Sequence, residues 1–303
     1  MFYAIIKMVI VMKKNSIPIC YVTNNNYFYM MYISIYTLIS NTKEIIIIYI
    51  FHNNVSNKKL NLLKKIQKEH VKFCFHNISK ELNRYITSSY ITKEAYFRLY
   101  LSTKLQNKYN KIIYLDCDTI INNDIKKLYN ININKYPLAA VLDKDIDPEY
   151  INHLKIDNYF NSGVLLINTH LYLQDSNQIN ECLDIIKHNK NLRFHDQDIL
   201  NIKYKDNFLK IDNCFNYQVK LKNNDDITNV FNQYIIHYYG PIKPHLCFKK
   251  TNATTLYWNY AIHTPVYKDL KKERIKYILY KKHNKYFKKI YDTINNIILR
   301  RKL

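Results

Sequence analysis

The chain's 303 residues carry 46 Lys and Arg against 24 Asp and Glu, a formal net charge of +22, and 48% of them are apolar. That length and apolar content suit one large or two modest domains with a filled core, which excludes wholesale disorder. The lysines are spread over most of the chain with an Asn, Ile and Tyr excess expected of an AT-rich coding sequence, so charge alone does not specify a nucleic-acid partner.

Residues 1–16 read as an N-terminal extension or a misassigned start, with Met12 as the true one. The stretch is apolar but short, is interrupted by Lys7, and has Lys13 and Lys14 after its apolar part, the reverse of a secretory signal. From there, short apolar runs recur between polar turn residues: Ile17 to Val22, Ile45 to Phe51, Ile112 to Leu115, Leu138 to Leu142, Val164 to Ile167 and Ile235 to Tyr238. Continuous apolarity over so few residues predicts strands buried on both faces of a mostly parallel sheet. Helical patterns lie between them. Leu60, Leu63 and Ile66 form a stripe within Asn57 to His70. Phe97, Leu101 and Leu105 recur at every fourth position within Thr92 to Leu105, behind a Thr92 cap with Glu94 in the first turn. Alternation of strand and helix places the chain in the α/β class, where ligands sit beyond the carboxyl ends of the strands. Residues 266–303 change character, interleaving Lys and Arg with Ile, Leu, Tyr and Phe as a basic amphipathic helical tail does. That pattern fits either a solvated tail or peripheral contact with an anionic membrane. No apolar window reaches the roughly 18–20 residues of a membrane span. Six cysteines form no CxxC pair and no zinc spacing, which fits reduced thiols and a cytoplasmic location.

Chemistry is expected just after the strand ends. Asp116 and Asp118 lie in the run KIIYLDCDTII. In extended chain, residues two apart project to one face, so both carboxylates can meet one cation while Cys117 points back into the protein. The alternative is a pair of solvated turn acids. In YFNSGVLLIN, Asn161, Ser162 and Gly163 precede a strand, and Gly163 is one of only two glycines in the chain. A glycine kept against such a composition points to positive φ or to close approach by a ligand or another backbone. FHDQDILN sets Asp196, Gln197 and Asp198 ahead of a helix, more polar groups than a cap requires. IIHYYGPIKPH holds the other glycine, Gly240, between His237 and Lys243. His237 is either a satisfied core histidine or a third cation ligand, with Lys243 meeting a phosphate.

Taken in order, IPICYVTNNNYFYMMYISIYTLISN, AYFRLYL, YLDCD, FNSGVLLIN, HDQDILN and HYYGPIKPH resemble the retaining glycosyltransferases of family 8. That group includes bacterial lipopolysaccharide galactosyl- and glucosyltransferases and glycogenin. The resemblance runs from about Ile17 to Leu246 and implies a GT-A fold, a single domain over residues 17–265 with a Rossmann-like nucleotide-sugar half. It implies that Asp116, Asp118 and His237 bind Mn²⁺, with Mg²⁺ the alternative. Val22, Thr23, Asn24 and Asn26 would line a uridine pocket with Tyr27 near the base, and the backbone around Cys117 would approach the ribose. Gly240 and Lys243 would hold phosphate oxygens, while Arg98, Asn161, Ser162, Asp196 and Gln197 would surround the hexose. Three departures from the family pattern stand out. Asn24 replaces a frequent acid, so its carbonyl would accept the uracil N3–H without charge assistance. His245 stands where Trp is usual, and glycines usual in these loops are missing.

The implied function is retaining transfer of glucose or galactose from a UDP-sugar to a hydroxyl of a glycan or glycolipid, in lipopolysaccharide or surface-glycan synthesis. Positive charge fixed at the leaving diphosphate, from the cation and Lys243, lowers the barrier most directly. Gln197 sits where a nucleophile is expected, but an amide is a poor one. Same-face attack is therefore the expected course, the diphosphate taking the acceptor proton and Gln197 and Asp198 shaping the site; Asp198 as nucleophile is the alternative. Loops from Asp143 to Asn158 and from Asn213 to Asn232 are expected to read the acceptor. Two rivals are a catalytically silent relative that binds UDP and carbohydrate, suggested by Asn24 and His245, and a metal-dependent nucleic-acid enzyme. The latter would show affinity falling steeply with salt.

Overall fold

The computed structural model describes residues 16–82, 93–174, 176–189, 191–221, 229–281 and 283. Within them the strands are β1 (Ile17–Asn24), β2 (Ile46–Asn53), β3 (Val71–Asn77), β4 (Lys111–Leu115), β5 (Thr119–Ile121), β6 (Leu138–Ala140), β7 (Val164–Asn168), β8 (Leu209–Lys210), β9 (Tyr217–Gln218) and β10 (Ile235–His237). The longer helices are α1 (Phe28–Asn41), α2 (Asn57–Lys64), α3 (Pro148–Leu154), α4 (Ser176–His188), α5 (Asp196–Tyr204) and α6 (Asn252–Ala261). Residues 267–281 are also helical.

Seven strands form a central sheet in the order β3-β2-β1-β4-β7-β6-β8. The first four run parallel, β7 is antiparallel to β4 and β6, and β8 is parallel to β6. Both faces are covered. Ile19, Tyr21, Ile48, Ile50, Ile113 and Leu115 face the layer that contains α1, while Cys20, Val22, Tyr49, Phe51, Ile112 and Tyr114 face Ile179 of α4 and Ile199 and Leu200 of α5. Successive residues point to opposite faces, so burial of both demands apolar residues at every position and produces the unbroken runs. Helix α1 packs against β5 and α6 as well as the sheet. It is therefore buried nearly all round, which removes the amphipathic stripe by which a sequence reveals a helix.

Several expectations are corrected. The run Ile235 to Tyr238 does not join the central sheet. It forms β10 in a second sheet of order β5-β10-β9, antiparallel to β5 with His237 opposite Thr119. Strand β3 was not foreseen, because at the sheet edge its Lys72, His76 and Asn77 break the apolar run. Helix α2 is capped by Ser56 and ends at Lys64, short of His70. The segment after residue 92 is not one helix: Lys93–Tyr96 and Leu101–Leu105 are separated by a 3₁₀ turn, Phe97–Tyr100, that carries the buried Arg98. The Thr92 cap, residues 1–15, residues 222–228 of the second acceptor loop and residues 284–303 of the tail lie outside the described residues. Val266 and Leu270 belong to the same core as the central sheet.

Candidate active site

The chain crosses from the central sheet to the small one between Leu115 and Thr119, and Asp116 and Asp118 sit in that crossing. Its turn is held by the Thr119 hydroxyl, which donates to the Asp116 carbonyl at 2.9 Å and shares a 2.8 Å hydrogen bond with the buried Ser34 of α1. Pairing of β10 with β5 then brings His237 against the two acids. His237 Nε2 lies 3.4 Å from Asp118 Oδ1 and 3.7 Å from Asp116 Oδ2. Gly163 makes room for the ring: a Cβ there would stand 2.1 Å from His237 Cε1. Close approach, not positive φ, explains this glycine, whereas Gly240 adopts φ +85°.

Each carboxylate divides its oxygens. Asp116 Oδ1 accepts from Tyr114 at 2.5 Å and from Arg98 at 3.1 Å, leaving Oδ2 toward His237. Asp118 Oδ2 accepts from Lys243 at 2.5 Å, leaving Oδ1 toward His237. Two carboxylate oxygens and one imidazole nitrogen thus converge, all within 4.8 Å of one another. Neighbouring ligands on a small octahedral cation stand about 3 Å apart, and an O,O,N set suits Mg²⁺ or Mn²⁺, so the residues present fit a divalent ion. Burial opposes ionisation of Asp118, yet the Lys243 ammonium and His237 outweigh it and hold the carboxyl well below the usual range. Burial would lower Lys243, but Asp118 holds it above its ordinary value.

Beside this cluster, Arg98 is 6% exposed and serves as a hub. It donates to the Ser162 carbonyl at 2.7 Å and hydroxyl at 2.8 Å, pairs with Asp196 at 2.8 Å, and lies over the Tyr114 ring. Burial raises the Asp196 carboxyl to about 6 against the pull of Arg98. Gln197 accepts from the Ser162 N–H at 2.9 Å and donates to Asp143 at 3.0 Å.

Of the residues expected at the site from the sequence, all but Asn26, Gly163 and Asp198 line one cavity of about 500 Å³ at the carboxyl ends of β1 and β4. Val22, Thr23, Asn24 and Tyr27 form one end, and the Cys117 thiol turns back to donate to the Val22 carbonyl at 3.2 Å. Asn24 Oδ1 accepts the N–H groups of Asn26 and Tyr27 at 2.9 and 3.2 Å, so the carbonyl assigned to a uracil N3–H is already engaged. Asp198 is fully buried and accepts from Tyr159 at 2.5 Å, Tyr150 at 2.8 Å and the Phe194 N–H at 2.7 Å. It holds the start of α5 and does not reach the cavity. His245 stacks on Tyr257 and pairs with Glu273 at 3.3 Å, outside the cavity lining. Sequence reasoning did not single out Tyr114, and it named Asp143 only as the start of an acceptor loop. Tyr114 could have been found, since it sits two residues before Asp116 on one face of a strand; the contact of Asp143 with Gln197 and Asn161 has no such local signal.

A half-buried and a buried carboxylate, joined across two sheets by a histidine and a lysine and opening into a cavity at the strand ends, define an α/β protein with a site compatible with a divalent cation. The chain matches the model of Glycosyl transferase family 8 over residues 18–246 and belongs to that family. A putative glycosyltransferase of Haemophilus influenzae is 30% identical over 210 residues, 64% of this chain and 62% of that one. The glycosyltransferase GlyF of Streptococcus pneumoniae is 28% identical over 195 residues, covering 61% of this chain and 46% of its own. The chain thus spans about half to two thirds of the length of these two relatives. The lipopolysaccharide 1,2-glucosyltransferase of Escherichia coli is 24% identical over 245 residues, 75% of this chain and 72% of that one. Among solved structures, the galactosyltransferase LgtC with donor and acceptor sugar analogues superposes with a TM-score of 0.69 at 18% identity, covering 82% of this chain and 96% of LgtC. The fold is therefore GT-A.

Proposed function

We propose that this family 8 member transfers glucose or galactose from a UDP-sugar to a hydroxyl of a glycan or glycolipid, with retention of anomeric configuration and with Mn²⁺ as its cation. The observation that carries the reading is the convergence of Asp116 Oδ2, Asp118 Oδ1 and His237 Nε2 beside Lys243 in the cavity. A cation held there supplies positive charge where a diphosphate leaving group develops negative charge. Lys243 adds a cationic donor, and Arg98 fixes Asp116, Ser162 and Asp196 around the place for the sugar. Same-face attack is supported by what the candidate nucleophiles are doing: both ends of the Gln197 amide are engaged, and Asp198 is buried under three donors. At the nucleotide end, Asn24 would donate its amide N–H to a base carbonyl, the reverse of the polarity expected from sequence.

Relatives named as lipopolysaccharide glucosyltransferases support a glycolipid or surface-glycan acceptor. Exposed Lys271, Lys272, Lys276 and Lys281, beside exposed Ile275, Leu279 and Tyr280, support peripheral contact with an anionic membrane on its cytoplasmic face. No described helix is long and apolar enough to cross one.

The test is Mn²⁺-stimulated UDP release across a panel of nucleotide sugars. UDP-glucose or UDP-galactose should be consumed slowly by water and faster with acceptor, and Asp118→Ala should abolish both with the fold intact. Undiminished turnover by that variant refutes the cation assignment, and binding of UDP and Mn²⁺ without release identifies a silent relative.

A further inference from the structure

Asn216 ends the 3₁₀ turn Asn213–Asn216, is 1% exposed, and has no part in the functions so far derived. Its amide lies between the candidate cation ligand and the sugar side of the cavity. Asn216 Oδ1 is 3.1 Å from His237 Nδ1, and Asn216 Nδ2 is 2.9 Å from Asn161 Oδ1. Asn161 Oδ1 also accepts the Gly163 N–H at 3.0 Å, and Asn161 Nδ2 donates to Asp143 Oδ2 at 3.1 Å.

The direction of this chain is set at its ends. A backbone N–H only donates and an ionised carboxylate only accepts, so Gly163 and Asp143 together leave Asn161 a single orientation. With its oxygen receiving Gly163, Asn161 can take from Asn216 only a donated N–H. Asn216 must then turn its carbonyl to His237, and that carbonyl is satisfied only if Nδ1 carries the proton. Nε2 is left as a bare lone pair aimed at Asp116 and Asp118. The opposite tautomer would orphan Nδ1 against a carbonyl in a buried site, and the attraction of its Nε2–H to the acids is a weak return, since Asp118 Oδ1 at 3.4 Å and Asp116 Oδ2 at 3.7 Å stand beyond the roughly 2.7–2.9 Å of a charge-assisted hydrogen bond.

We infer that Asn216 is the positioning residue that locks His237 in the tautomer able to ligate a cation, through a one-way relay from Gly163 and Asp143. The inference rests on the cation reading of the trio. Metal-ligating histidines commonly have their second nitrogen fixed by such a partner, and its loss weakens metal affinity about 10- to 100-fold.

The experiment uses the full chain with ¹⁵N-labelled histidine, metal-free and in alkaline buffer so that imidazoles are neutral, with the His237 signals assigned by His237→Gln. Protonated Nδ1 and bare Nε2 are expected in the wild type, and a mixed or inverted tautomer in Asn216→Leu. Asn216→Asp keeps an acceptor for Nδ1 and should hold the wild-type tautomer, at a cost in stability because its second oxygen replaces the N–H donated to Asn161 Oδ1. Mn²⁺ titration should show Asn216→Leu weakened about 10- to 100-fold and Asn216→Asp largely restored. A wild-type His237 protonated on Nε2 overturns the inference, as does unchanged Mn²⁺ affinity in a folded Asn216→Leu. Wild type without any Mn²⁺ affinity sinks the cation reading instead, and the metal-free tautomer still decides the relay.

Discussion

His237 fits beside the end of the central sheet because residue 163 has no side chain. A methyl group at that position would enter the imidazole ring, and the obstruction is a rigid ring wedged between two strands, not the free end of a flexible chain. Gly163→Ala should therefore expel His237 from the acids, lowering Mn²⁺ affinity at least about tenfold and UDP release with it. Calorimetric Mn²⁺ titration of the folded variant checks this; unchanged affinity would mean that His237 is not a ligand. The same scale explains Asn24. Its carbonyl caps the backbone leading into α1, so only its amide N–H groups are free to meet a ligand.

At the scale of elements, α5 shows how one helix start serves two ends. His195 takes φ 44° and ψ −98°, a strained setting for a residue with a side chain, and turns the chain so that Asp196 and Gln197 enter the cavity. Asp198 points the other way and ties α5 to Tyr150 and Tyr159. Tyr159→Phe should remove one donor to that buried carboxylate and cost about 1–3 kcal/mol of stability while leaving Mn²⁺ affinity unchanged. Urea unfolding read beside a Mn²⁺ titration separates the two effects. A large loss of cation affinity without loss of stability would return Asp198 to the functional site.

At the scale of the whole molecule, the site exists only where two sheets meet. The central sheet delivers the acids, the small sheet delivers His237 and the loop with Lys243, and α1 packs beside their junction. The helix at 267–281 adds an outer face: Arg274 lies over Phe248 and Trp258, while its exposed lysines face outward. Replacing Lys271, Lys272, Lys276 and Lys281 by Glu should abolish co-sedimentation with vesicles rich in anionic lipid, since each basic residue near such a surface contributes about 1 kcal/mol. UDP release from a soluble acceptor reaction should be unaffected. Vesicle binding that survives the change would place the membrane contact elsewhere.

The strands β1, β2, β4, β6 and β7 are legible as apolar runs because burial on both faces imposes its rule on every consecutive residue. The paired acids are legible for a related reason, since two residues apart on extended chain share a face whatever surrounds them. Those signals are local, and so are the two glycines that stand out against the composition. Only the tertiary structure decided that Ile235 to His237 leaves the central sheet, that Asp198 is turned away from the cavity while the likewise buried Asp196 lines it, and that Asn216 stands behind His237. Each depends on pairing between segments far apart in the chain, where direction and burial are set by neighbours that no stretch of sequence contains.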